Sequence, residues 1–168
     1  LPIRAGADIA LLNAMLTVMV EERLVDPSFI AAHTQGWDAV HTLLARYTPE
    51  AVQEVCGLPA SRIREAAHLF GRAQAVISLW SMGMNQSTVG VDKNNALINL
   101  HLATGQIGKP GAGPFSLTGQ ANAMGGREVG GLSHLLPGYR SVLDPQHRVE
   151  VAAHWGIPPE HLSAKPGY

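Results

Sequence analysis

The side chains able to recognise a ligand are gathered in two places. Asn85 and Gln86 lie in the polar run 81–87, and Ser116, Thr118, Gln120, Asn122 and Arg127 follow in a stretch crowded with glycine. Amides, hydroxyls and a guanidinium set among backbone N–H groups that a ligand can approach closely suit hydrogen bonding to a polar, polycyclic or nucleotide-like molecule. The competing reading is that the glycines only make tight turns. A self-sufficient catalytic device is absent: there is no His-Glu-x-x-His pair, Cys-x-x-Cys, Gly-x-Ser-x-Gly elbow or Gly-Lys-Ser/Thr phosphate loop. The eight histidines are scattered without ligand spacing, so each reads as solvent-facing or as a hydrogen-bonded structural residue. Any chemistry must come from a bound cofactor or from further sequence.

Those residues need elements to hold them. Asp8 reads as an N-cap, and Ile9, Leu12, Leu16, Met19 and Val20 follow at helical spacing, predicting a helix over about residues 8–24. Asp26-Pro27 and Thr48-Pro49 each set a capping side chain before a proline at the first helical position, with Gly57 closing the second of these helices. Trp37, Val40, Leu43 and Leu44 make another apolar stripe, and Ile63, Ala66, Ala67 and Phe70 place a helix over residues 61–71. Residues 75–80 read as a buried parallel strand, and Ala96, Leu97, Leu100 and His101 as a helix over 94–104. Strand, polar loop and helix in that order indicate an α/β fold, layered helices around a mostly parallel sheet, with ligands outside the carboxyl end of the strand. Four glycines precede Met82 and fourteen follow it, so the last third is expected to be loop-rich, with His147 to Glu150 and the segment around Trp155 as turns and helix starts. The division expected is 1–113 for the α/β part and 114–168 for a glycine-rich loop region.

Composition narrows the function. In 168 residues with 46% apolar and 15% charged side chains and a net charge of -1, a core can form and no basic field exists for nucleic acid. The longest apolar stretch, around residues 9–20, is too short to span a membrane. Cys56, the single cysteine, cannot form an internal disulfide and reads as a small buried hydrophobe with nothing electropositive beside it. The ends, Leu1-Pro2 and Pro166-Gly167-Tyr168, read like cuts inside a longer chain, so a fragment is expected.

The run Leu79-Trp80-Ser81-Met82-Gly83-Met84-Asn85-Gln86-Ser87 and the helix Asn94-Asn95-Ala96-Leu97-Ile98-Asn99-Leu100-His101-Leu102-Ala103-Thr104-Gly105 resemble the molybdopterin oxidoreductases of the dimethyl sulfoxide reductase family. The opening Arg4-Ala5-Gly6-Ala7-Asp8 resembles that family's Pro-Gly-Thr-Asp helix start. The tail Ser116-Leu117-Thr118-Gly119-Gln120-Ala121-Asn122-Ala123-Met124-Gly125-Gly126-Arg127-Glu128 is similar to nitrate reductases of the bacterial assimilatory type.

The resemblance implies a molybdenum held by two molybdopterin guanine dinucleotides, with an iron-sulfur cluster elsewhere in the parent enzyme; the metal's protein ligand also lies outside this chain. It implies nitrate as substrate, an electron donor still to be identified and a cytoplasmic location; the alternatives are another molybdopterin oxidoreductase, a formate dehydrogenase or periplasmic nitrate reductase, or a non-catalytic nucleotide-binding α/β module, and composition leaves no nucleic-acid or membrane partner expected. Gly6, Ala7 and Asp8 fall where the family meets the guanine end of one cofactor, with Ala7 replacing a common threonine; otherwise Asp8 is simply a cap. Met82, Gly83, Asn85 and Gln86 fall at cofactor-contacting positions, with Met82 facing the molybdenum pocket, or else plain core. Ser116, Thr118, Gln120 and Asn122 are implied pterin hydrogen-bonders. Arg127 is implied to bind nitrate, because a planar guanidinium fork matches a planar anion; its alternative is a structural ion pair, as with Glu128.

Overall fold

The computed structural model describes residues 1–167 and divides into two compact units, Leu1–Leu117 and a second from Thr118 onward. The strand at 113–116 thus belongs to the first unit.

The first unit is built around α1 (Asp8–Glu21), whose residues 13–19 are all buried. A helix buried on every side is the hub of a bundle, and α4 (Pro49–Cys56), α5 (Ala60–Gly71) and α7 (Gly90–Ala103) pack around it. Leu16, Val18, Met19, Cys56, Ile63 and Leu100 are sealed from solvent at the centre. Two polar residues of α1, Asn13 and Thr17, are buried with it. Thr17 Oγ1 donates to the Asn13 carbonyl (3.0 Å) and lies 3.2 Å from the Leu44 carbonyl, so it fastens the end of α3 (Trp37–Leu44) to the hub.

Helix starts follow the cap chemistry. Asp26 accepts from Phe29 N (2.9 Å) ahead of α2 (Pro27–His33), and Thr48 accepts from Ala51 N (3.2 Å) ahead of α4. Gly57, at φ 69°, ends α4. Two readings of α1 are corrected. Asp8 is its first helical residue rather than its cap; Ala7 holds the cap position without a side-chain bond. The helix also stops at Glu21 instead of near Leu24, because Arg23 turns left-handed (φ 59°) while Leu24 N returns to the Met19 carbonyl (2.8 Å) and Arg23 N to that of Val20 (3.2 Å). This double bond pattern is the usual glycine termination, carried here by an arginine.

Strand β1 (Ile77–Trp80) pairs in parallel with β2 (Gly113–Ser116), in register Ile77 to Gly113 through Trp80 to Ser116, and α7 joins them. The chain is therefore of the α/β class, helix-rich with a small parallel sheet. The expectation of a fully buried strand is corrected: Ile77 and Leu79 are 56% and 63% exposed, while Ser78 and Trp80 face inward. Ser78 meets α7 through His101, and full burial of a parallel strand requires helices on both faces. The run after β1 is also not a plain loop but holds the single helical turn α6 (Met82–Asn85).

The second unit contains α8 (Ala123–Glu128), the two-residue strands β3 (Leu135–Leu136) and β4 (Arg140–Ser141) paired antiparallel, α9 (Pro145–Trp155) and a 3₁₀ turn at Pro159–His161. Leu136, Val142 and Val151 form its small core. Residues 147–150, read among turns and helix starts, lie inside α9. The missed signal was Asp144-Pro145, the same cap-plus-proline signature as Asp26-Pro27: Asp144 accepts from Gln146 N (2.8 Å), and this bonding holds its carboxyl below the usual range. No described helix is long and apolar enough to cross a membrane.

Candidate cofactor cleft

In the first unit, the chain entering α1 and the turn leaving β1 face each other across a cleft of about 440 Å³. Gly6 and Asp8 line it from one side, Ser81 and Gly83 from the other, and Lys93 of α7 reaches in. Gly6 sits at φ 83°, a conformation costly for any residue with a Cβ, and a Cβ built at Gly6 or Gly83 would meet no atom within 4 Å. Both glycines therefore leave backbone bare at the cleft.

Two cations belong to the same wall. The Arg4 side chain runs over Gly57, and its Nη1 donates to the Glu54 carbonyl (2.6 Å), which ties it to the carbonyl-rich end of α4. Lys93 is only 9% exposed; its Nζ lies 2.8 Å from Asp8 Oδ2 and 3.4 Å from the Gly83 carbonyl. A second cleft, of about 300 Å³, shares Ile3, Asp8 and Met84 with the first and is lined by apolar Leu11, Leu12, Leu79 and Leu97. A polar, cationic recess continuing into an apolar one suits a ligand with both phosphate-like charge and flat rings.

Of the residues expected to bind, Gly6, Asp8 and Gly83 come together here. Ala7 lies beside them but is 3% exposed, and its N–H is bonded to the Arg4 carbonyl (3.1 Å), so it shapes the turn. Met82 is 60% exposed on α6, and Gln86 is exposed directly after it. Asn85 and Ser116 are bonded to each other: Asn85 Nδ2 donates to Ser116 Oγ (2.9 Å), while Asn85 Oδ1 accepts from Trp80 Nε1 (2.9 Å). Trp80 Nε1 also lies 2.7 Å from Asn94 Oδ1, and Asn94 Nδ2 donates to the Gly90 carbonyl (2.7 Å). This network pins both strand ends and α6 to the start of α7. In the second unit, Thr118 Oγ1 donates to the Gln120 carbonyl (2.9 Å), and Asn122, at φ 53°, caps α8 by accepting from Gly125 N (3.1 Å). Gln120 and Arg127 are exposed there, and Arg127 pairs with no carboxylate among the described residues, Glu128 included.

Sequence reasoning missed Arg4, Lys93, Trp80 and Asn94. For Lys93 a signal existed, since it stands three and four residues ahead of Ala96 and Leu97, on the face of their apolar stripe, where a buried cation needs a partner, and neighbouring Asp92 cannot face it. No group of three or more His, Cys, Asp or Glu among the described residues could hold a metal ion.

His101 lies beneath β1, fully buried. One ring nitrogen, Nε2, is 2.8 Å from Ser78 Oγ, and the ring meets Phe70 edge-on at 5.1 Å. Its Nδ1 has no partner among the described residues, and burial pushes its pKa from the usual 6.5 down to about 4.

Known proteins resemble this chain in sequence and fold. The chain is 54% identical over 167 residues to a nitrate reductase of Synechocystis and 40% identical over 166 residues to formate dehydrogenase H of Escherichia coli; each match covers 99% of this chain. It spans 23% of the length of each of these relatives. Acetylene hydratase from Pelobacter acetylenicus shares the fold, with a TM-score of 0.60 and 25% identity over 66% of this chain and 15% of that one. The family model described as molybdopterin oxidoreductase matches residues 1–162, and the chain belongs to that family, whose cofactor is a molybdenum-pterin.

Proposed function

We propose that this chain is part of the catalytic subunit of a molybdenum-dependent nitrate reductase and forms part of the wall around its cofactor and substrate. The observation that carries the reading is the cleft where Gly6 and Asp8 meet Ser81 and Gly83 beside Lys93 and Arg4. Its residues fit a pterin guanine dinucleotide: bare glycine backbone and the Arg4 cation suit phosphates, the Lys93-paired Asp8 carboxylate suits the guanine edge, and the adjoining apolar recess suits rings. When bound, the molybdenum of a bis(molybdopterin guanine dinucleotide) centre supplies the oxygen-atom transfer that converts nitrate to nitrite. The chain's part is binding and orientation. Arg127 offers its fork to the anion, and Met82, a soft thioether that does not compete for an oxyanion, lines the pocket. Gln86 is a cofactor contact of the first unit, with Ser116 and Asn85 acting through the strut they form, and Thr118, Gln120 and Asn122 of the second unit are cofactor hydrogen-bonders by the family resemblance. The assimilatory character of the 116–131 tail favours a cytoplasmic enzyme, with the iron-sulfur cluster and electron donor supplied from outside this chain.

The test is nitrite formation by the full-length parent with a reduced dye as donor, comparing wild type with Arg127→Ala at matched molybdenum content. A hydrogen bond to a charged group contributes about 1.5–3 kcal/mol, so the variant is expected to lose roughly 10- to 100-fold in kcat/KM for nitrate. Likeness to formate dehydrogenase H supports a second reading, oxidation of formate. A molybdenum-loaded wild type that makes no nitrite but oxidises formate would establish it in place of the first. A parent that carries no molybdenum-pterin and turns over neither would leave a non-catalytic nucleotide-binding module.

A further inference from the structure

Lys93 bonds to both walls of the cleft, to Asp8 on one and Gly83 on the other. The ion pairs of the outer helices, Arg62–Glu65 and Arg64–Glu50, join side chains 36–58% exposed, the kind that contributes little. The Lys93–Asp8 pair differs, with the lysine 9% and the aspartate 27% exposed. A lysine brought that far from water must be compensated. Both of its partners, the Asp8 carboxylate and the Gly83 carbonyl, are cleft wall rather than core.

We propose that Lys93 is a positioning residue for the cofactor, an inference that rests on the reading of this cleft as a pterin guanine dinucleotide site. Held by Asp8 Oδ2 on one side and Gly83 on the other, its ammonium fixes the separation of the α1 entry and the β1 exit, so that both close on one ligand. Asp8 Oδ2 is committed to Lys93, while Oδ1 makes no hydrogen bond among the described residues and is left to accept from a ligand N–H. The charge matters as much as the reach. A bare carboxylate beside a dinucleotide would repel its phosphates; with Lys93 cancelling Asp8, the charge remaining on the wall is that of Arg4, and it is positive.

The experiment uses the full-length parent as wild type, Lys93→Met and Lys93→Arg. Methionine keeps much of the length and removes the charge; arginine keeps the charge. Each protein is assayed for molybdenum and for the GMP released on acid hydrolysis, below a melting temperature measured for the same preparation. Loss of a supporting residue around a bound centre costs on the order of tenfold or more. Lys93→Met, folded at the assay temperature, is therefore expected to carry at least roughly tenfold less GMP and molybdenum, with Lys93→Arg restoring most of both. If Lys93→Met fails to fold, the comparison passes to Lys93→Arg and Asp8→Asn, where a folded Asp8→Asn loaded like wild type overturns the proposal. A folded Lys93→Met with wild-type loading shows a pair that only stabilises the fold, and the role of Lys93 falls alone. A wild type containing no GMP overturns the cofactor reading together with this one, a loss visible before any variant is made.

Discussion

His101 makes the first unit sensitive to pH at a point that can be calculated. Its ring is fully buried under β1, and its pKa is pushed from 6.5 to about 4 because burial penalises the charged form. Between those values the folded chain binds fewer protons than the unfolded one, so stability is complete above pH 6.5 and falls as the pH drops toward 4. Integrating that difference gives a loss of about 2 kcal/mol between pH 7 and pH 5, and about 3 kcal/mol by pH 4. The natural assay is hydrogen exchange of peptides covering β1 and α7 in the full-length parent, corrected for the intrinsic pH dependence of exchange. His101→Phe supplies the control. It forfeits the Ser78 hydrogen bond, about 1 kcal/mol, yet carries no titrating group. The variant is therefore expected to be less protected than wild type at pH 7 and more protected at pH 5. Equal protection of wild-type β1 and α7 at the two pH values, or the same acid loss in His101→Phe, would refute the reasoning.

Two further outcomes follow from packing. A Cβ at Gly90 would stand 2.7 Å from the Asn85 carbonyl oxygen and 3.0 Å from that of Met84, both backbone atoms that cannot swing away. Gly90→Ala is thus expected to cost about 1–3 kcal/mol despite the better helix propensity of alanine, and a melting temperature equal to wild type would contradict this. Cys56 is sealed in the core with its thiol pKa pushed up by burial. Its alkylation in the native parent at pH 8, read on its own peptide by mass spectrometry, is expected to be at least roughly tenfold slower than in denaturant; equal rates would show that α4 opens readily.

Local signals in the sequence determined most of the helices. Asp26-Pro27 and Thr48-Pro49 start α2 and α4 because their side chains satisfy N–H groups a few residues away, and no distant contact is needed for that. Gly57 ends α4 for an equally local reason. The strand-turn-helix order from Ile77 to Ala103 and the motifs at Gly6, Met82 and Arg127 were likewise legible, and they carried the family. What reads locally can also mislead. Asp8 looks like a cap because aspartate often is one, but α7 presents Lys93 to it, and an ion pair with a buried lysine outweighs a bond to an exposed N–H. Arg23 ends α1 in a conformation its type disfavours, held by the Leu24 and Arg23 N–H bonds back to Met19 and Val20. Only the tertiary structure decided that Asn85 and Ser116 join to each other, that Ile77 and Leu79 face outward, and that Lys93 ties Asp8 to Gly83, 75 residues further along the chain. The physical reason is that partners for buried polar groups are chosen by the packing of distant elements, which residue type and spacing along one segment do not encode.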